Sequence, residues 1–191
     1  MNILIINGSP RKNGLVSTML DIMHKQLENK GDKVQVINAN DLIVKPCIGC
    51  MVCRNRGACV MPTDDAQRTL QMLQDADAVI IGAPCYWGNI PGTLKVLFDR
   101  MVYGMMRDTD RFPEPLMKSK RAIFVSTSTT PWPFNIWFKQ TRGAIRALRE
   151  ITNYAGIKLI GTIEKGNTAK CKTLSNKEIT KCKKIADKLH S

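Results

Sequence analysis

Long hydrophobic runs are missing from this sequence: no stretch approaches the ~18 consecutive apolar residues of a membrane span, which excludes a helical membrane protein. The apolar start, Met1 to Gly8, is too short for a signal peptide and has no basic leader, so a soluble cytoplasmic protein is expected. Histidine is scarce. His24 and His190 lie far apart without ligand-like neighbours, which removes a histidine-built metal centre. Acidic residues are also few, 16 against 29 Lys and Arg, for a net charge of +13. Such a surface attracts phosphorylated cofactors, nucleic acid, anionic lipid or acidic proteins alike, so charge alone selects none of them. From Glu164 to Leu189 the lysines are spread along the chain rather than interleaved with aromatics, which argues against a groove for single-stranded nucleic acid. Repeats, low-complexity segments and linkers are absent, and a single domain over 1–191 is expected.

What is present is ordinary globular material, 43% hydrophobic and 24% charged, able to bury a core without disulfide staples. Apolar runs alternate with helical patterns, the signature of βαβ units. Strands are expected at Ile3 to Ile6, Lys33 to Asn38, Ala78 to Gly82, Arg121 to Ser126 and Ile157 to Ile163. Helices are expected at Val16 to Lys30, at Asp64 to Asp75 with Thr63 as N-cap, and at Pro91 to Met101. Two more follow, a long one from Asn135 to Asn153 and a last one from Ser175 to His190. The class is α/β, a doubly wound five-stranded parallel sheet with helices on both faces, in a flavodoxin-like or a Rossmann arrangement. Such sheets bind ligands beyond the carboxyl ends of their strands, so the loops after strands one, three and four are where chemistry is expected.

The first of these loops is Asn7-Gly8-Ser9-Pro10-Arg11-Lys12-Asn13-Gly14. No Gly-Lys-Ser/Thr follows as in a P-loop, and the Gly-x-Gly-x-x-Gly dinucleotide pattern is absent. The loop does open into a helix, whose free N–H groups and dipole suit a phosphate. Ser9, Ser17 and Thr18 carry hydroxyl donors, and Arg11 can pair with two phosphate oxygens. The second loop, Pro84-Cys85-Tyr86-Trp87-Gly88-Asn89, supplies aromatic surface together with turn residues that leave backbone donors free. The third begins Ser126-Thr127 and runs into Pro131 to Phe138, too apolar for a bare surface loop and suited to a lid, a subunit contact or equally a part of the core.

Between the second strand and the next helix, within a cysteine-rich insertion at 45–62, lies Cys47-x2-Cys50-x2-Cys53-x5-Cys59. Three cysteines two residues apart favour a [4Fe–4S] cluster; zinc and unmetallated thiols are the alternatives. Arg54 and Arg56 are placed to offset thiolate charge. Cys85, Cys171 and Cys182 read as ordinary thiols.

The Gly8-Ser9-Pro10-Arg11 loop, the Pro84-x-Tyr86-Trp87-Gly88 loop and the Leu94-Lys95 and Asp99-Arg100 pairs behind it resemble the NAD(P)H-dependent FMN reductase and iron–sulfur flavoprotein families. The loop departs from the family's usual Gly-Asn-Thr continuation, having Gly14-Leu15-Val16, so two polar contacts are either missing or supplied by Ser17 and Thr18. The resemblance implies the flavodoxin-like strand order 2-1-3-4-5 and FMN held by Ser9, Arg11, Ser17, Thr18, Pro84 to Asn89, Ser126 and Thr127. It implies NAD(P)H as cosubstrate and a flavin, quinone or similar small molecule as acceptor. In the alternative, ferredoxin feeds a cluster on Cys47, Cys50, Cys53 and Cys59, and the cluster feeds FMN. A homodimer or homotetramer is implied as well. Hydride arrival at a flavin requires no protein acid or base, so no catalytic side chain is singled out.

Overall fold

A computed structural model describes residues 1–190. The chain runs β1 (Asn2–Asn7), α1 (Leu15–Glu28), β2 (Lys33–Asn38), α2 (Val52–Arg56), α3 (Asp65–Asp75), β3 (Ala78–Pro84) and α4 (Gly92–Met105). It continues through β4 (Met106–Arg107), β5 (Glu114–Pro115), β6 (Arg121–Thr127), α5 (Phe134–Trp137), α6 (Gln140–Ala155), β7 (Lys158–Lys165) and α7 (Asn176–Asp187), and a 3-10 turn (Lys188–His190) follows. Five strands pair in the order β2-β1-β3-β6-β7, every pair parallel. This is the flavodoxin-like 2-1-3-4-5 arrangement. β4 and β5 form a separate antiparallel pair that the sequence did not announce.

The period of two along each strand divides the core into two layers. Leu4, Ile6, Val79, Ile81 and Phe124 face α3, α4 and α6 through Leu70, Leu94, Leu97 and Leu148. Ile3, Ile5, Ile80, Ile123 and Val125 face α1 and α7 through Met19, Met23, Cys182 and Ile185. Each such side chain, fully buried, stabilises the fold by roughly 1.5–3 kcal/mol before entropy is charged against it. The central strands are therefore apolar on both faces, as the short runs in the sequence require.

Three boundaries differ from expectation. Asp64, not Thr63, caps α3: its carboxylate accepts from Ala66 N at 3.0 Å, and Gln67 Oε1 accepts from Asp64 N at 2.9 Å. Pro91 stands just outside α4 as its N-cap, which spares the first turn its missing donor. The helix expected from Asn135 to Asn153 is broken, because Lys139 adopts a left-handed backbone (φ 54°) between α5 and α6. The break lets Asn135 turn inward and donate to Thr141 Oγ1 at 3.3 Å, while Trp137 and Phe138 are thrown outward.

Candidate functional site

The loop after β1 is built around Asn7, the last residue of the strand, which carries no phosphate-binding signal in the sequence. Its Nδ2 donates to Ser17 Oγ at 2.9 Å and to Asn38 Oδ1 at 3.0 Å, and its Oδ1 accepts from Ser9 N at 3.0 Å. Ser17 Oγ in turn donates to the Arg11 carbonyl at 2.8 Å, and Arg11 N donates to Ser9 Oγ at 3.2 Å. Thr18 Oγ1 donates to the Gly14 carbonyl at 3.1 Å. Ser17 and Thr18 thus hold the loop to its helix rather than face outward. Gly8 is needed here: a Cβ would stand 2.8 Å from Leu94 Cδ2, where β1 and α4 approach. Gly14 caps α1 without a side-chain hydrogen bond, and no acid occupies the first turn, so the helix N–H groups are open to an anion.

The second loop is a tight hairpin. Tyr86 N donates to the Asn89 carbonyl and Asn89 N to the Tyr86 carbonyl, both at 2.9 Å. Trp87 (φ 54°) and Gly88 (φ 69°) occupy the two left-handed positions, the pattern of a type I′ turn. A bulky residue in that region is strained by roughly 1–3 kcal/mol, and the two backbone hydrogen bonds that close the hairpin hold it there. Its indole is fully exposed. The hairpin is seated on α6, where the Gly88 carbonyl abuts Gly143. Cys85 N donates to the Thr127 carbonyl at 2.7 Å and so joins the ends of β3 and β6. Burial pushes the Cys85 thiol up, although the Gly88 and Asn89 N–H groups act against it.

These loops enclose a cavity of about 410 Å³ beyond the carboxyl ends of the sheet. Of the residues singled out from sequence, Ser9, Arg11, Pro84, Cys85, Tyr86 and Thr127 line it. Trp87 and Gly88 border a larger neighbouring depression with Phe138 and Gln140 instead. Asn89 is occupied in the hairpin, its Oδ1 accepting from Ile90 N at 2.8 Å. Ser126 is buried inside the sheet with its hydroxyl unpartnered. Asn13, Ser128 and Thr129 also line the cavity, as do Thr168 and Lys172 from the segment after β7. That tail reads as featureless polar sequence and shows its position only once folded. No carboxylate lines the cavity, and two cations do, so its field favours an anion.

Cys47, Cys50, Cys53 and Cys59 border one separate hollow of about 200 Å³, floored by Val102, Tyr103 and Leu116. Burial pushes the Cys53 thiol up, and charge on Cys59, Cys47 and Cys50 adds to the effect, so the four sulfurs are electrostatic neighbours. Gly49 N donates to Cys47 Sγ at 3.4 Å, the kind of amide-to-sulfur bond that tunes a cluster. A single tetrahedral zinc would need sulfurs about 3.8 Å apart, from its ~2.3 Å bonds. Among the described residues no three Cys, His, Asp or Glu are gathered in that way. The donor set, all thiol, is of the kind that holds zinc or an iron–sulfur cluster. Arg54, expected to offset thiolate charge, is instead engaged with Asp108 at 2.7 Å.

Among the described residues no helix is long and apolar enough to cross a membrane. The chain resembles a curated iron–sulfur flavoprotein of Archaeoglobus fulgidus, 37% identical over 100 residues, covering 52% of this chain and 48% of that protein. An iron–sulfur flavoprotein of Methanosarcina thermophila is 34% identical over 102 residues, covering 53% of each. The chain therefore spans about half the length of the curated relatives it matches. Among solved structures, an FMN-dependent NADH-azoreductase of Bacillus anthracis in complex with FMN superposes with a TM-score of 0.76 at 16% identity, covering 100% of this chain and 99% of that one. At that identity the likeness establishes the fold, which agrees with the strand order above. A sequence model described as NADPH-dependent FMN reductase matches residues 1–149, the stretch that carries the Asn7–Gly14 loop and the Tyr86–Asn89 hairpin, and the chain belongs to that family.

Proposed function

We propose that this protein is an FMN-dependent oxidoreductase that takes electrons from NAD(P)H and passes them to a flavin, a quinone or a similar small acceptor. The observation that carries the reading is the 410 Å³ cavity, which joins an anion-receiving loop to a wall of Pro84, Cys85 and Tyr86. Its size falls within the range of small-molecule sites, and its two ends match the two ends of FMN. Ser9, Arg11 and the open first turn of α1 would hold the phosphate. Pro84, Cys85, Tyr86 and Thr127 would lie along the ring, with Ser128, Thr129, Thr168 and Lys172 closing the opposite side. Bound there, FMN supplies the chemistry of hydride acceptance and stepwise electron release. The side chains bind, orient and set the local field; none near the ring is placed as an acid or base.

The names of the relatives support this reading: azoreductases, a quinone reductase and an NAD(P)H:quinone oxidoreductase share the fold. A second reading is favoured by the cysteine hollow. There a ferredoxin would deliver electrons to a [4Fe–4S] cluster on Cys47, Cys50, Cys53 and Cys59, and from it to FMN. The curated iron–sulfur flavoproteins support it by name. We place the protein in the cytoplasm as a single flavodoxin-like domain that assembles as a homodimer or homotetramer. The exposed Trp87, Trp132, Trp137 and Phe138 supply an apolar surface for that contact.

The test is an absorption spectrum of protein purified without oxygen, with iron and sulfide assayed on the same sample, followed by stopped-flow mixing with NADPH and NADH. Flavin bands bleached directly by a nicotinamide are the expected result. No flavin bands and no tight binding of added FMN would refute it. Flavin reduced only through ferredoxin, in protein that carries iron, would move the function to the second reading.

A further inference from the structure

One buried cation closes the base of the cysteine-rich segment. Arg100 lies in the middle of α4 with its side chain wholly inside the protein. Its Nη1 donates to the Lys45 carbonyl and to Asp64 Oδ2, each at 2.7 Å, and Nη2 reaches the Pro62 carbonyl at 3.5 Å. Lys45 precedes the four cysteines and Pro62 follows them. Asp64 adds a second tie, since its Oδ2 also accepts from Lys45 N at 3.2 Å. The chain entering the segment and the chain leaving it are therefore pinned to the same guanidinium.

Burial alone would lower the Arg100 pKa, and the neighbouring charges, Asp64 first among them, outweigh it and raise it. Arg54 and Arg107, which border the hollow, are each engaged with a carboxylate, at 2.7 Å to Asp108 and 3.4 Å to Glu114. Arg100 keeps a buried donor, Nε, with no partner. A buried N–H without an acceptor is disfavoured unless the working molecule satisfies it.

We propose that Arg100 is the positioning residue of the cysteine-rich loop: it ties the chain entering the loop at Lys45 to the chain leaving it at Pro62 and Asp64, so that the four cysteines are held around one hollow. The clamp stands whatever the four cysteines hold; only the iron readout below rests on the reading of them as cluster ligands. Lysine is a poor substitute, because one ammonium on a flexible stem cannot reproduce a planar fork spanning Lys45, Pro62 and Asp64.

The experiment compares wild type with Arg100→Met, Arg100→Lys and Asp64→Asn. In reduced, metal-free protein, alkylation of each cysteine by iodoacetamide is followed by mass spectrometry, and limited proteolysis between residues 46 and 61 is followed in parallel. FMN binding serves as the check on folding, and the same samples are then reconstituted with ferrous iron and sulfide. Arg100→Met should alkylate Cys53 and Cys59 at least about tenfold faster, be nicked within the loop, and take up less iron than wild type, with FMN affinity unchanged. Arg100→Lys should fall between. Should Arg100→Met fail to bind FMN or to unfold cooperatively, Asp64→Asn and Arg100→Lys decide, since both must still expose Cys59. Wild-type thiol protection in the folded variants would overturn the clamp. Lost protection in a protein whose wild type takes up no iron would support the clamp and overturn only the reading of the cysteines as cluster ligands.

Discussion

Replacing Gly143 by alanine should weaken FMN binding without unfolding the protein. Gly143 lies in the first turns of α6, directly behind the Tyr86–Asn89 hairpin. A Cβ at this position would stand 2.8 Å from the Gly88 carbonyl carbon and closer still to its oxygen, so backbone must move. The hairpin is the softer partner. It is held by two internal hydrogen bonds, whereas the next residues of α6, Ala144 and Leu148, are locked in the core. Overpacking of this kind costs about 1–3 kcal/mol. If the hairpin must return to its place to receive the ring, the same free energy appears in binding, and the FMN Kd rises about 5- to 150-fold. Flavin fluorescence titration measures that change, and denaturant unfolding of the flavin-free protein measures stability separately. Gly92→Ala is the matched control, because a Cβ there meets nothing within 4 Å. A Gly143→Ala protein that binds FMN within twofold of wild type would refute the placement of the ring against this hairpin.

Arg11→Ala removes a charge-assisted phosphate contact worth about 1.5–3 kcal/mol, so FMN affinity should fall roughly 10- to 150-fold in equilibrium titration. Riboflavin, which has no phosphate, should bind the variant and wild type alike. Cys182 is pushed up to about 11 by burial, so at pH 8 only about one molecule in a thousand carries the thiolate. Native protein treated with iodoacetamide should therefore modify the exposed Cys171 and spare Cys182 until denaturant is added. Burial pushes the Asp64 carboxyl up, but hydrogen bonds from Ala66, Lys45 and Arg100 outweigh it and hold the group below its ordinary 3.8. The ionised carboxylate's contribution is then complete above that value and lost as pH falls through the lower folded one. Pepsin should accordingly begin to cut within residues 46–61 only below about pH 3.8, and the cutting should begin at higher pH in a variant that lacks Arg100.

The sheet was legible because its information is local. Runs such as Ile3-Leu4-Ile5-Ile6 and Ala78-Val79-Ile80-Ile81 can be satisfied only by burial on both faces, and their alternation with helices fixes the class. The cap of α3 was misplaced by one residue because Thr63 and Asp64 are both capping types. What selects the carboxylate is Arg100, distant in sequence. The break at Lys139 leaves no trace, since Phe138, Lys139 and Gln140 carry no breaker; it goes with long-range contacts, Gly143 against Gly88 and Asn135 to Thr141, that no local pattern announces. In the candidate site, Ser9, Arg11 and the Pro84–Tyr86 stretch were readable from their place after apolar strands. Ser17 and Thr18 carry the right chemistry but are consumed by the loop's own carbonyls. Thr168 and Lys172 were invisible because a polar tail gives no sign of the point at which it folds back on the sheet.

The position of Lys172 also explains what a net charge of +13 left undecided. Arg11 follows the first strand and Lys172 follows the last, yet both border one cavity that no carboxylate enters. Cations recruited from opposite ends of the chain and left uncompensated at one place suit a ligand that brings its own negative charge, such as a phosphate ester. The cysteine hollow is arranged in the opposite way. Arg54 and Arg107, which border it, are matched with Asp108 and Glu114. One cavity thus gathers uncompensated positive charge, and the other does not. That difference follows from which carboxylates the fold brings near, not from the number of lysines in the chain.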